Sequence, residues 1–175
     1  MSSETTKLIR ELSHPILLVD DEEIVLVALR DTLRREGYQV VSSPHAIHAL
    51  SILKEQQFSV VITDQQMPLV TGLEFLAQVK EIQPGAIRIL ITAVLSLSTI
   101  IEAVNKSEIY RFVVKPWQRE ELLSIVKTAV QKYELARGRE RQLVETLVRN
   151  DELMTENERL RQQLGRVSGG HPTEE

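Results

Sequence analysis

Phe58-Ser59-Val60-Val61-Ile62-Thr63-Asp64 is the stretch that decides the fold. Apart from Ser59 it is apolar or β-branched, it shows no apolar/polar alternation, and it ends on an acid. A strand that reads as a continuous apolar run is buried on both faces, and such strands belong to parallel sheets covered by helices. The same kind of segment recurs on either side. Ile16-Leu17-Leu18-Val19 runs into Asp20-Asp21, residues 38–41 and 109–114 read as strands, and Ile87–Thr92 reads as another. Between them lie segments with helical spacing. Residues 23–36 predict a helix with Ile24, Val27, Ala28 and Leu33 on its apolar face, stopped by Gly37. Residues 44–56 predict a second, with Ile47, Leu50 and Leu53 inward. Gly72–Ile82 is a third, broken by Pro84-Gly85, and residues 97–106 are a fourth. A final helix begins after Pro116. Five βα units in a row predict an α/β fold, a doubly wound five-stranded parallel sheet of flavodoxin-like type.

Composition bounds what such a chain does. The hydrophobic fraction of 42% is enough for a core, and the 4% of aromatics leaves aliphatic residues to build it. A net charge of −4 argues against nonspecific nucleic-acid binding, which needs clustered cations. With no cysteine, disulfides, thiolate nucleophiles and cysteine zinc sites are excluded. His45 and His48 stand one turn apart and read as a surface pair rather than a metal site. No apolar run approaches the ~20 residues of a membrane span. Residues 1–13 are polar with no signal-peptide core, so a flexible N-terminal segment and a cytoplasmic location are expected.

Parallel sheets gather their functional groups at the carboxyl ends of the strands. Asp20 and Asp21 follow the first strand, Asp64 ends the third, Thr92 ends the fourth and Lys115 follows the fifth. All five share one edge. Packed carboxylates repel one another and call for a cation, and oxygen ligands favour a hard ion such as Mg²⁺. A metal, an ammonium and a hydroxyl around one carboxylate suit phosphoryl transfer to that carboxylate. Each signal alone has an ordinary explanation, a helix cap for the Asp-Asp pair or a surface loop for Lys-Pro. Their joint order on the right strand ends does not.

The residues that complete the pattern resemble the receiver domain of two-component response regulators. They are Leu18-Val19-Asp20-Asp21-Glu22, Val61-Ile62-Thr63-Asp64-Gln65-Gln66-Met67-Pro68 with Gly72 beyond, Ile91-Thr92-Ala93, and Val113-Val114-Lys115-Pro116-Trp117. The resemblance covers about residues 14–133. Val104-Asn105-Lys106, Tyr110-Arg111-Phe112 and Lys115-Pro116-Trp117 resemble one branch, whose receivers often precede cyclic-dinucleotide phosphodiesterase-type domains or enhancer-binding modules. The resemblance implies that Asp64 takes a phosphoryl group from a histidine kinase. It implies Mg²⁺ on Asp20, Asp21, Asp64 and the Gln66 carbonyl, and phosphoryl oxygens held by Thr92, Lys115 and the Ala93 amide. Pro116 matches the family's cis proline. Phe112 matches the aromatic that turns inward behind Thr92, with plain core packing as its alternative, and Tyr110 is a weaker candidate on the same side of an ideal strand. Gln66 and Val94 sit where phosphate lifetime is tuned.

Beyond the expected receiver at 14–133, residues 119–164 hold no proline and one glycine, Gly138. A continuous helix there would be roughly 70 Å long at ~1.5 Å per residue. Residues 134–167 contain seven Arg and seven acids. Leu143, Asn150, Asn157 and Leu164 recur every seventh residue, with Thr146, Leu153 and Leu160 three after each of the first three. That is an a/d heptad seam with Asn at two a positions, which predicts a coiled-coil extension over 134–165 and a homodimer. A linker helix that meets another protein is the alternative. Residues 166–175, with Ser168-Gly169-Gly170 and Pro172, read as a disordered tail.

The expected function is a switch with a protein–protein output and no turnover of a separate substrate. The expected partners are a histidine kinase, a second copy and a downstream effector, without nucleic acid or membrane. One alternative is a regulatory segment controlling a separate enzyme, such as a cyclic-dinucleotide enzyme. A phosphatase using Asp64 as nucleophile is disfavoured because Gln66, two residues on, is no acid. The balanced charge of the tail disfavours a DNA-binding zipper.

Overall fold

A computed structural model describes residues 14–93 and 109–168. The expected fourth helix at 97–106, Val94, the N-terminal segment 1–13 and the tail beyond Ser168 lie outside the described residues. The chain divides into two compact units between Ala136 and Arg137.

The first unit holds a five-stranded parallel sheet in the order β2-β1-β3-β4-β5. The strands are β1 (Ile16–Val19), β2 (Val40–Ser43), β3 (Val60–Asp64), β4 (Ile87–Thr92) and β5 (Arg111–Val114). Among the described residues the helices are α1 (Glu23–Arg35), α2 (Ala46–Glu55), α3 (Gly72–Ile82) and a C-terminal helix, Arg119–Ser168. β1 and β3 are buried along their whole length, as continuous apolar runs require. Two cores lie on opposite faces of the sheet. One joins α1 and the start of the C-terminal helix through Leu26, Leu29, Leu33, Leu122, Val126 and Val130. The other joins α2 and α3 through Leu53, Phe58, Phe75, Leu76 and Val79.

Two inward faces differ from those expected. In α1, Ile24 is 86% exposed and Val27 and Ala28 also face solvent, while Leu26, Leu29 and Leu33 are buried. The helix carries two overlapping apolar stripes, and the leucine stripe is the one that meets β1 and β2. In α2, Ile47 is 60% exposed, and Ala46, Ala49 and Leu53 turn inward. Small residues there let the helix lie close against the sheet. β2 starts at Val40 rather than 38, β3 at Val60 rather than 58, and β5 at Arg111 rather than 109. Tyr38 and Phe58 are buried just outside their strands, so they carry the apolar signal without the ladder. Tyr110 also precedes its strand. It packs on the α1 side of the sheet whereas Phe112 packs on the α2–α3 side, so the two do not share a face.

Gly37 adopts φ +86°, the left-handed conformation that ends α1 without a Cβ clash. Thr71 and Glu74 form a reciprocal capping box at the start of α3. The C-terminal helix runs on to Ser168, past residue 165, the expected end of the helical extension.

Candidate functional site

Strand register brings the predicted residues to one edge. Val19 pairs with Thr63, so Asp20 and Asp64 emerge side by side after β1 and at the end of β3. Asp64 pairs with Ile91, which puts Thr92 one residue further along β4, and Thr92 pairs with Val114, just before Lys115. The Lys115 amide donates to the Thr92 carbonyl (2.8 Å), which carries the β5 end onto the same edge. The Lys115–Pro116 peptide is cis, in keeping with the expected geometry.

Lys115 Nζ lies 2.7 Å from Asp64 Oδ1, 3.4 Å from Asp20 Oδ2 and 3.6 Å from Glu22 Oε1. Asp20 is 1% exposed and Asp64 5%. Their other oxygens accept backbone N–H groups: Asp20 Oδ1 from Glu22 (2.9 Å) and Asp64 Oδ2 from Gln66 (2.6 Å). Each carboxylate is thus held by one lysine and one amide, which fixes its orientation.

The electrostatics follow from burial. Loss of water raises the Asp20 pKa. The Glu22 amide and Lys115 pull it down, the Asp64 charge pushes it up again, and the net shift is upward. Burial alone would lower the Lys115 pKa. The hydrogen bond to Asp64 and the charges of Asp20 and Asp64 outweigh it, so the ammonium holds its proton more firmly than usual. Two buried carboxylates at one point make a pocket that a further positive charge would relieve.

Thr92 is 3% exposed at the end of β4. Phe112 is half-buried against the α2–α3 core. Asp21 and Gln66 are exposed. Among the described residues no three His, Asp or Glu side chains gather closely enough to hold a metal. The donors already in place, Asp20 and Asp64, are both hard oxygen ligands, which fits an ion that keeps several waters rather than one caged by protein alone. His48 is engaged elsewhere, its Nδ1 3.1 Å from Ser43 Oγ.

Two contributors carry no role in the sequence reading. Glu22 joins the ion cluster around Lys115, and its signal is its place in the unbroken acidic run Asp20-Asp21-Glu22-Glu23. Gly72 is the second. A Cβ there would run into the Asp64 carbonyl oxygen and come within 2.7 Å of Leu90 Cδ1. The start of α3 therefore presses its bare backbone against the Asp64 peptide, and the Gly72 amide donates to the Gln65 carbonyl (3.0 Å).

A family model described as the response regulator receiver domain matches residues 16–127. The chain is 40% identical over 116 residues to the hydrogenase transcriptional regulatory protein HoxA of Cupriavidus necator, covering 66% of this chain and 24% of that protein. It therefore spans about a quarter of the first such relatives. Sporulation initiation phosphotransferase F of Bacillus subtilis is 29% identical over 116 residues, 66% of this chain and 93% of that one. Among solved structures, the signal receiver domain of an HD domain-containing protein from Pseudomonas fluorescens Pf-5 superposes with a TM-score of 0.67 at 33% identity. It covers 70% of this chain and 98% of its own. The beryllofluoride-activated NtrC4 receiver domain dimer gives a TM-score of 0.64 at 34% identity over 68% and 98%.

Proposed function

The chain belongs to the response regulator receiver family, and from that membership we propose that Asp64 accepts a phosphoryl group from the phosphohistidine of a histidine kinase in two-component signalling. The observation that carries the reading is the buried Asp20–Lys115–Asp64 cluster, with Lys115 Nζ 2.7 Å from Asp64. In the proposed reaction an Asp64 oxygen forms the new P–O bond as the P–N bond to the kinase histidine breaks. Lys115 and Thr92 hold the phosphoryl oxygens, helped by the Ala93 amide. Receiver domains bind Mg²⁺ in the active site, and here Asp20, Asp64, Asp21 and the Gln66 carbonyl would hold it. Bound there, it would offset the negative charge that collects as the phosphoryl group arrives. Asp21, next to Asp20 in the chain, is exposed. Phe112, half-buried and paired with Leu90 across β4 and β5, is the aromatic that would follow Thr92 inward.

The proposed output is protein–protein. Two copies pair through the C-terminal helix in the cytoplasm and present a downstream protein with a changed surface, with no separate substrate turned over. A second reading has the chain control an effector enzyme, such as a cyclic-dinucleotide enzyme. It is favoured by the similarity to the receiver of an HD domain-containing protein.

The test is labelling with a small phosphodonor in Mg²⁺. The wild-type chain is expected to gain a hydroxylamine-labile phosphoryl group, and Asp64→Ala to gain none while keeping its circular dichroism spectrum. Label retained in Asp64→Ala would overturn the assignment.

A further inference from the structure

The second unit leaves an apolar face uncovered. Leu143, Leu147, Leu153, Met154, Leu160 and Leu164 are 47–67% exposed along one helix. We infer that this face pairs with the same face of a second copy in parallel and in register, so that Asn150 meets Asn150 and Asn157 meets Asn157. The inference rests on the pairing proposed above and adds its direction and register.

The two asparagines choose the direction. In a parallel pair each a residue sits beside its own copy, so the Asn amides supply each other with a donor and an acceptor. An antiparallel pair seats a residues against d residues. Each antiparallel register with useful overlap then either sets Asn150 or Asn157 against a leucine or carries Leu164 back onto Lys132, outside the unit. An amide buried against leucine loses its water and gains nothing. Charge agrees with the parallel choice. Glu156 at g faces Arg161 at e of the partner helix, and the two-fold axis makes that pair twice. Leu147 and Met154, also at e, extend the apolar seam, while Val144 and Val148 stay on the outer face. A parallel pair also brings the two Arg137 ends together, so both receivers attach to the same end of the coil.

The chain has no cysteine, which makes disulfide trapping in the full-length protein clean. Leu143→Cys, at a, and Leu160→Cys, at d, face each other in the central antiparallel register and are made singly, with Glu145→Cys, at an outer heptad position, as the collision control. In the parallel register each seam variant crosslinks to itself under mild oxidation at least tenfold faster than the control. Crosslinking only when the two seam variants are mixed shows an antiparallel pair and overturns the proposal. With no excess over the control, a light-scattering mass at the 19.9 kDa of one chain both with and without beryllofluoride overturns pairing altogether, and a mass of two chains overturns the in-register seam. None of these results touches the receiver reading, which is scored separately by phosphodonor labelling of the same samples.

Discussion

At the scale of single residues, Asp20 and Gln83 carry opposite lessons. Asp20 is a buried acid whose pKa is raised, first by loss of water. The folded state therefore binds its proton more tightly than the unfolded chain. As pH rises past the ordinary value of 3.8, the unfolded form ionises more readily, and stability is lost rather than gained. Asp20→Asn keeps the acceptor for the Glu22 amide and removes the charge. Thermal melts should show a gain on the order of 1 kcal/mol at neutral pH that fades below the carboxylate range, alongside a loss of phosphodonor labelling. Lys115 works with the other sign. Its raised pKa gives stability at neutral pH that is lost only as pH climbs through a value above 10.5. Gln83 is 3% exposed, and nothing about it stands out in the sequence. Its Nε2 donates to the carbonyls of Leu53 (2.6 Å) and Gln56 (2.7 Å), and its Oε1 accepts the Phe58 amide (2.9 Å). It ties the end of α2 to the start of β3. Gln83→Leu strips three backbone groups of their partner, and chemical denaturation should register a loss of about 2–3 kcal/mol. A neutral result would mean that water replaces the amide.

At the scale of elements, legibility tracks how strongly an element's own residues constrain it. α3 is read to the residue because its start and stop are both local: the Thr71–Glu74 box opens it and Pro84-Gly85 follows its end. β4 is read to the residue as well. The faces of α1 and α2 are not. Ile24 and Val27 offer as good an apolar stripe as Leu26 and Leu29, and only the sheet selects between them. Strand starts slip because Tyr38 and Phe58 are apolar core residues that lie just outside the hydrogen-bonded ladder. Gly138 belongs to this scale too. It lies inside the C-terminal helix, and a Cβ there would meet nothing within 4 Å. Gly138→Ala should therefore stabilise the helix by about 1 kcal/mol, seen as a higher melting temperature in the helical dichroism signal. Destabilisation would mean that the position has to leave helical geometry in some state.

At the scale of the whole molecule, two units share one helix, and their stabilities have different origins. Up to Tyr133 the helix is held by burial of Leu122, Val126, Ala129 and Val130. Beyond Arg137 the described side chains are exposed, and helices that bury nothing are marginal in water. Light scattering in Mg²⁺, with and without beryllofluoride, should give a mass of two chains in both states if the coil is a standing scaffold. A monomer that pairs only with beryllofluoride would instead make pairing itself the response to phosphorylation. The sequence alone determined the fold class, the strand-end cluster of Asp20, Asp64, Thr92 and Lys115, and the long helix. Each is written in local pattern: continuous apolar runs, acids or a lysine at strand ends, and an unbroken helical stretch. Only the tertiary structure decided which stripes of α1 and α2 turn inward and on which side of the sheet Tyr110 and Phe112 pack. It also decided that Lys115 bridges Asp20 and Asp64, and that Gly72 must stay bare beside Asp64. Those depend on which surface each residue meets across the sheet, and distance along the chain carries no record of that.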